Sequence, residues 1–219
     1  MKKIDKKLEG ILSAKYRDWV IKLEDKQGNH NGDYKYYYDD VVMSLYKCQQ
    51  GVCAYTEMHI CIPELYTDLN WEAGRFKLNP DIDFKRTDHL GEMDHYDPSL
   101  KAEKYWRWSN LFMIHAKINS LKRNTAVVPY LKPDLENYSP EEYFDYDEST
   151  HRFVPNVSIE DENIRKEIQH MIDNVLFLNH GVVQRERRDY IQWIRQDIRF
   201  GLPYVVDRFH TAVSFCINN

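Results

Sequence analysis

Residues Gly91–Asn124 read GEMDHYDPSLKAEKYWRWSNLFMIHAKINSLKRN. An Asp-His pair, Asp94-His95, is followed by Asn110 in WSNLF and by Asn119 in INSLKRN. The pattern predicts a strand ending at the acid–base pair, a loop, a second strand of apolar and aromatic residues around Asn110, Leu111, Phe112 and Met113, and a short helix from about Ala116 to Arg123. Such a strand–loop–strand–helix finger brings Asp94, His95 and Asn119 together. A carboxylate and an amide oxygen suit a hard divalent cation such as magnesium or manganese, which keeps several waters and takes few protein ligands. A neutral imidazole beside them, with an ordinary pKa of about 6.5, takes a proton from water at neutral pH. Metal plus base is the equipment for hydrolysing a phosphodiester.

Taken in order, D-H-x-x-P, N-L and N-x-x-K resemble the HNH endonuclease family with its ββα-metal fold, in a variant whose third letter is Asn. The likeness runs from about Val52 to Asn124, and DHYDP with Pro98 and NSLK with Lys122 are its more specific parts. It implies His95 as general base, Asp94 and Asn119 as metal ligands, Asn110 as the pin of the loop carrying the base, and Lys122 as a cation near the scissile phosphate. Many members of the family carry a structural zinc on two C-x-x-C pairs. The corresponding positions here are Cys53 and Thr56, then His115 and Ile118, so that zinc is expected to be absent. Cys53, His59, Cys61 and His115 remain as an alternative set of nitrogen and sulfur ligands, and Glu57 reads as a structural hydrogen-bond acceptor. Further on, Leu178-Asn179-His180 followed by R-x-R-R at 185–188 resembles the C-terminal portion of HNH nucleases of bacterial antiphage modules, the Septu and retron-associated types. In those modules the nuclease is paired with an ATPase subunit.

Composition bounds the rest. The chain has 219 residues with 42% hydrophobic residues, enough for a sizeable core. A formal net charge of −5 and a pI of about 6.0 are not those of a strongly basic nucleic-acid-binding domain. Contact with phosphates therefore has to come from a local basic patch, from metal or from a partner subunit. No apolar run reaches the roughly eighteen residues of a membrane span, and the Met1-Lys2-Lys3-Ile4-Asp5 start lacks the apolar core of a signal peptide. A cytoplasmic protein is expected, with Cys48, Cys53, Cys61 and Cys216 as thiols.

Around the finger, Leu8–Leu23 reads as an amphipathic helix, 25–33 as a loop, and Tyr38–Tyr46 as a second helix stopped near Gly51. Val52–Ile62 reads as a strand or a knuckle-like turn. Residues 63–90 form a polar insertion whose Arg75, Lys77, Lys85 and Arg86 are candidates for phosphate contact. Prolines 129, 133, 140 and 155 make 127–157 an acidic connector with a short strand pair around Phe144 and Phe153. From Ser158, paired with Asp161 as a capping box, three apolar stripes predict helices up to Cys216. The middle one carries Arg185, Arg187, Arg188, Arg195 and Arg199, a face open to duplex phosphates, to an acidic partner, or to plain salt bridging.

The fold expected is α+β: a ββα-metal HNH finger embedded in N-terminal helices and a C-terminal helical bundle. The segments are 1–51, 52–126 with its insertion, 127–157 and 158–219. The function expected is a metal-dependent endonuclease acting on DNA with one magnesium or manganese ion. Its expected setting is an antiphage defence complex with an ATPase partner, with homo-oligomers open and no membrane. The alternatives are an inactive HNH-like scaffold that binds DNA or a protein, and an RNA-cleaving toxin using the same site.

Overall fold

The computed structural model describes residues 1–25, 36–102 and 104–217. Helices and small antiparallel sheets make it an α+β chain. It divides into two units: Ile4–Cys53 with His59–Ala126, and Met1–Lys3 with Ala54–Met58 and Val127–Asn219. The loop read at 25–33 lies, from 26 onward, outside the described residues.

In the first unit, α1 spans Ala14–Asp25 and α2 spans Tyr38–Gln49. The helix expected from Leu8 starts only at Ala14, because the Ser13 hydroxyl accepts from Tyr16 N at 3.2 Å and stops the helix there, with Leu8–Gly10 left as a separate 3-10 turn. That hydroxyl also donates to Asp40 of α2 at 2.7 Å. Helix α2 ends as expected, with Gln50 (φ 58°) and Gly51 (φ 72°) both left-handed. The Val52–Ile62 stretch is a turn tied by isolated bridges, Val52 to His59 and Cys61 to His89, not a regular strand. The insertion is more ordered than its polarity suggests. It holds a hairpin, β1 (Trp71–Glu72) and β2 (Arg75–Phe76), turning through Ala73 (φ 50°) and Gly74 (φ 76°), the backbone that two-residue hairpins require.

Strand β3 (Gly91–His95) pairs antiparallel with β4 (Leu111–His115), placing Asp94 opposite Phe112 and His95 opposite Leu111. Helix α3 (Ala116–Lys122) follows β4 directly, and His115 Nδ1 caps it by accepting from Lys117 N at 3.1 Å. Leu111–Ile114 are wholly buried, which explains the unbroken apolar run of β4. The middle of the outer edge of β4 is closed by one side chain. Gln49 donates to Met113 O at 2.7 Å and accepts from Met113 N at 2.8 Å, satisfying backbone groups that an open edge would leave unpaired. At the start of β3, a Cβ on Gly91 would lie 2.2 Å from the Tyr46 hydroxyl, so only glycine lets α2 approach this closely.

The second unit carries the hairpin β5 (Phe144–Asp147) and β6 (Arg152–Pro155), with Phe144 and Phe153 buried and edge-to-face. Helix α4 (Glu162–His170) runs on into a π turn at Met171–Val175, followed by α5 (Gly181–Arg199) and α6 (His210–Ile217). The cap of α4 is Asp161, which accepts from Asn163 N and Ile164 N, whereas Ser158 bonds Asn156. The stripe expected to be helical from Val205 begins at His210. Gly201 (φ 66°) and Pro203 hold the intervening chain extended and leave Val205 76% exposed. Glu57 is buried and accepts from Thr211 N and its hydroxyl. All four cysteines are free thiols, and among the described residues no helix is long and apolar enough to cross a membrane.

Candidate active site

The finger is closed by two matched periodicities. Side chains two apart on a strand share a face, and side chains three apart on a helix do too. Glu92 and Asp94 of β3 thus meet Asn119 and Lys122 of α3. Asn119 Nδ2 donates to Glu92 Oε2 at 2.9 Å, and Lys122 Nζ donates to Asp94 Oδ1 at 3.0 Å. The ammonium also donates to the His95 carbonyl at 3.4 Å. Lys122 is 1% exposed and Asp94 4%, so this is an ion pair taken out of water.

His95 ends β3 with its ring 5% exposed and edge-on to Tyr105, the centroids 4.5 Å apart. Its Nε2 lies 2.9 Å from the Tyr105 carbonyl oxygen. A carbonyl only accepts, so the neutral ring carries its proton on Nε2 and its lone pair on Nδ1. Burial pushes the His95 pKa below the ordinary histidine value. The Tyr105 bond opposes this, and the charges of Lys101 and Lys122 add to it. The ring is therefore neutral at pH 7.

The loop after His95 is fixed from behind. Asn110 Oδ1 accepts from Asp97 N at 2.8 Å, and its Nδ2 donates to Asp97 O at 2.9 Å. Asp97 in turn caps the 3-10 turn Pro98–Lys101 by accepting from Ser99 N, with Pro98 at its first position. Lys6 secures the turn that carries Asn110. It is a residue with no sequence signal, and its ammonium donates to Trp108 O at 2.8 Å and to Leu111 O at 2.7 Å.

A cavity of about 190 Å³ opens at this point, lined by Met93, Asp94, His95, Pro98, Lys101, Asn119, Arg123 and Asn124. Asp94, His95 and Asn119 thus share one polar cavity, with Asn110 behind it. Lys122 does not line it. Its place three residues after Asn119 turns it onto β3 and Asp94, and so away from the phosphate position expected for it. Arg123 lines the cavity in its place, from a backbone at φ 56° and ψ −130°. No motif letter pointed to Arg123 or Lys101.

Most of the other candidate groups are engaged elsewhere. Among the described residues no three His, Cys, Asp or Glu side chains gather to hold a metal. Of the alternative zinc set, His59 is exposed and His115 Nδ1 caps α3. The Cys53 sulfur accepts from His115 N at 3.4 Å, and burial, with the Glu64 charge, pushes the Cys61 thiol up to about 12. Of the insertion's cations, Arg75 pairs with buried Asp40, Lys77 with Glu72 and Arg86 with Asp39, while Lys85 has no ion pair among the described residues. On α5, Arg185 and Arg188 pair with Asp189, and Arg195 pairs with Glu148. Arg187 is buried, donating to the carbonyls of Leu178 and His151 under the Phe153 ring. A salt-bridged face describes this helix better than a duplex-binding one.

No family model matches the chain, and comparisons with curated proteins and with solved structures find no match.

Proposed function

We propose that the chain is a metal-dependent HNH endonuclease hydrolysing DNA phosphodiester bonds, the effector nuclease of a bacterial antiphage complex with an ATPase partner. The observation that carries this is the state of His95: a neutral ring with its proton fixed on Nε2 by Tyr105 and its lone pair on Nδ1, beside a polar cavity shared with Asp94 and Asn119. The donor set fits a hard cation. Asp94 offers a carboxylate and Asn119 an amide oxygen, the amide being oriented by its bond to Glu92. Bound there, magnesium or manganese would supply charge neutralisation on the phosphoryl and leaving oxygens.

The chain's own groups do the rest. His95 Nδ1 takes the proton of a water that attacks phosphorus in line. Asn110, through Asp97, keeps the loop after His95 from drifting, and Lys122 fixes the orientation of Asp94. An inactive scaffold of the same shape has one observation in its favour, the Lys122 ammonium that already compensates Asp94. Cleavage of supercoiled plasmid in magnesium, manganese or EDTA, with His95→Ala in parallel, decides between the two. Metal-dependent cutting that His95→Ala abolishes, with a cooperative unfolding transition retained, is the expected outcome. A folded His95→Ala protein that cuts at the wild-type rate removes the assignment.

A further inference from the structure

The cavity at His95 continues into a second one. Pro98, Lys101 and Asn124 line both it and an adjoining space of about 640 Å³ that also takes in Ser99 and Ala102. The two form a trough with Lys101 at the joint and Arg123 on the His95 side.

Neither Lys101 nor Arg123 has an ion pair or a side-chain hydrogen bond among the described residues. By contrast, Arg75, Arg86, Arg195 and Lys122 all rest on carboxylates. In a chain of net charge −5, two unpaired cations on one trough make a local positive site.

The backbone at Arg123 adds an independent sign. It sits just past the end of α3 at φ 56° and ψ −130°, with its N–H on Asn119 O at 3.0 Å. Glycine takes that conformation without strain, and a long β-carbon-bearing side chain does not. Backbone of this kind is enriched at functional sites, and here it stands at the cavity.

We propose that Arg123 and Lys101 form a phosphate clamp. Arg123 holds the phosphodiester presented to His95, and Lys101 holds the neighbouring phosphate of the same DNA strand as it passes into the second cavity. The identity of the anion rests on the nuclease reading above.

The test is binding of a short fluorescein-labelled DNA duplex by anisotropy across a salt series in EDTA, where nothing is cut. Arg123→Gly is expected to unfold at the same or a higher temperature than wild type and yet bind about tenfold more weakly. Each of Arg123→Gly and Lys101→Ala is expected to lower the slope of log affinity against log salt by about one, the loss of one phosphate contact. Arg185→Ala, which removes an exposed cation paired with Asp189, should leave the slope alone. Wild-type affinity and slope in both trough variants would overturn the clamp, and so would wild-type protein with no salt-dependent binding. Wild-type protein that binds in this way but never cuts refutes the nuclease reading and leaves the clamp standing. Cutting by an Arg123→Gly protein of undiminished affinity does the reverse.

Discussion

Replacing Lys122 by Met tests the buried pair that joins α3 to β3. Methionine keeps the length and most of the apolar stem, so the packing around a side chain that is 1% exposed is largely preserved. What is lost is the ammonium 3.0 Å from Asp94 Oδ1. The Asp94 carboxylate, only 4% exposed, would then be buried without its countercharge. Removing one partner of such a pair costs about 3–5 kcal/mol, whereas removing both charges together is often close to neutral. Lys122→Met in EDTA is therefore expected to lose about 3–5 kcal/mol of unfolding free energy, and Asp94→Asn with Lys122→Met to recover most of it. Urea denaturation followed by tryptophan fluorescence measures this, because Trp106 and Trp108 are buried in the same unit. The reasoning fails if Lys122→Met unfolds within about 1 kcal/mol of wild type, since a value that small belongs to a solvated surface pair.

Three further outcomes follow from the site. The acid limb of the cleavage profile should fall below the ordinary histidine value of 6.5, because burial, and then Lys101 and Lys122, disfavour the protonated ring. Lys101→Ala should move that limb upward, and a limb centred above 6.5 would count against His95 as the base. The same depressed pKa gives a sign for stability: the unfolded chain takes up the His95 proton more readily. Its contribution is thus complete above about 6.5 and is lost as pH falls below that value, which thermal unfolding across pH would show. Asn110→Ala should lose about 1–3 kcal/mol and most of the cleavage rate, since two backbone groups of Asp97 lose their partners. Asn110→Asp should not rescue it, because a second oxygen would then face the Asp97 carbonyl; a fully active Asn110→Asp protein would refute the pinning role.

The sequence carried the finger well where periodicity carries information. The apolar run Leu111–Ile114 is a buried strand, and Asp94 and Asn119 fall on the strand and helix their spacing implied, whereas Asn110, expected in the second strand, closes the 3-10 turn Trp108–Asn110 just before it. It carried the charges poorly. Arg75, Lys77 and Arg86 read as free cations of a polar loop, but their partners Asp40, Glu72 and Asp39 are set by a hairpin turn at Ala73-Gly74 and by the packing of α2. Lys122 and Arg123 are adjacent letters at the end of a short helix, and which of them lines the cavity depends on where the helix stops. At the end of α3 it is Arg123, at φ 56°, and not Lys122 that lines the cavity. The bond that fixes the His95 tautomer comes from the backbone of Tyr105, and a backbone carbonyl has no letter at all.

Lys122 links three properties that the motif treats as separate. Its ammonium binds Asp94, donates to the His95 carbonyl and, through space, disfavours a second positive charge on the His95 ring. One buried cation thus touches Asp94, the end of β3 and, weakly, the protonation of His95. Burial does most to keep the His95 ring neutral, and the charge that holds Asp94 in place adds to it, so a substitution at Lys122 should move stability and, to a smaller extent, the acid limb together. Substitutions at Lys101 should move the limb with little change in stability, because that side chain is exposed and rests on no carboxylate among the described residues. A Lys122 variant that lost stability while keeping the wild-type acid limb would show that the two roles are separable.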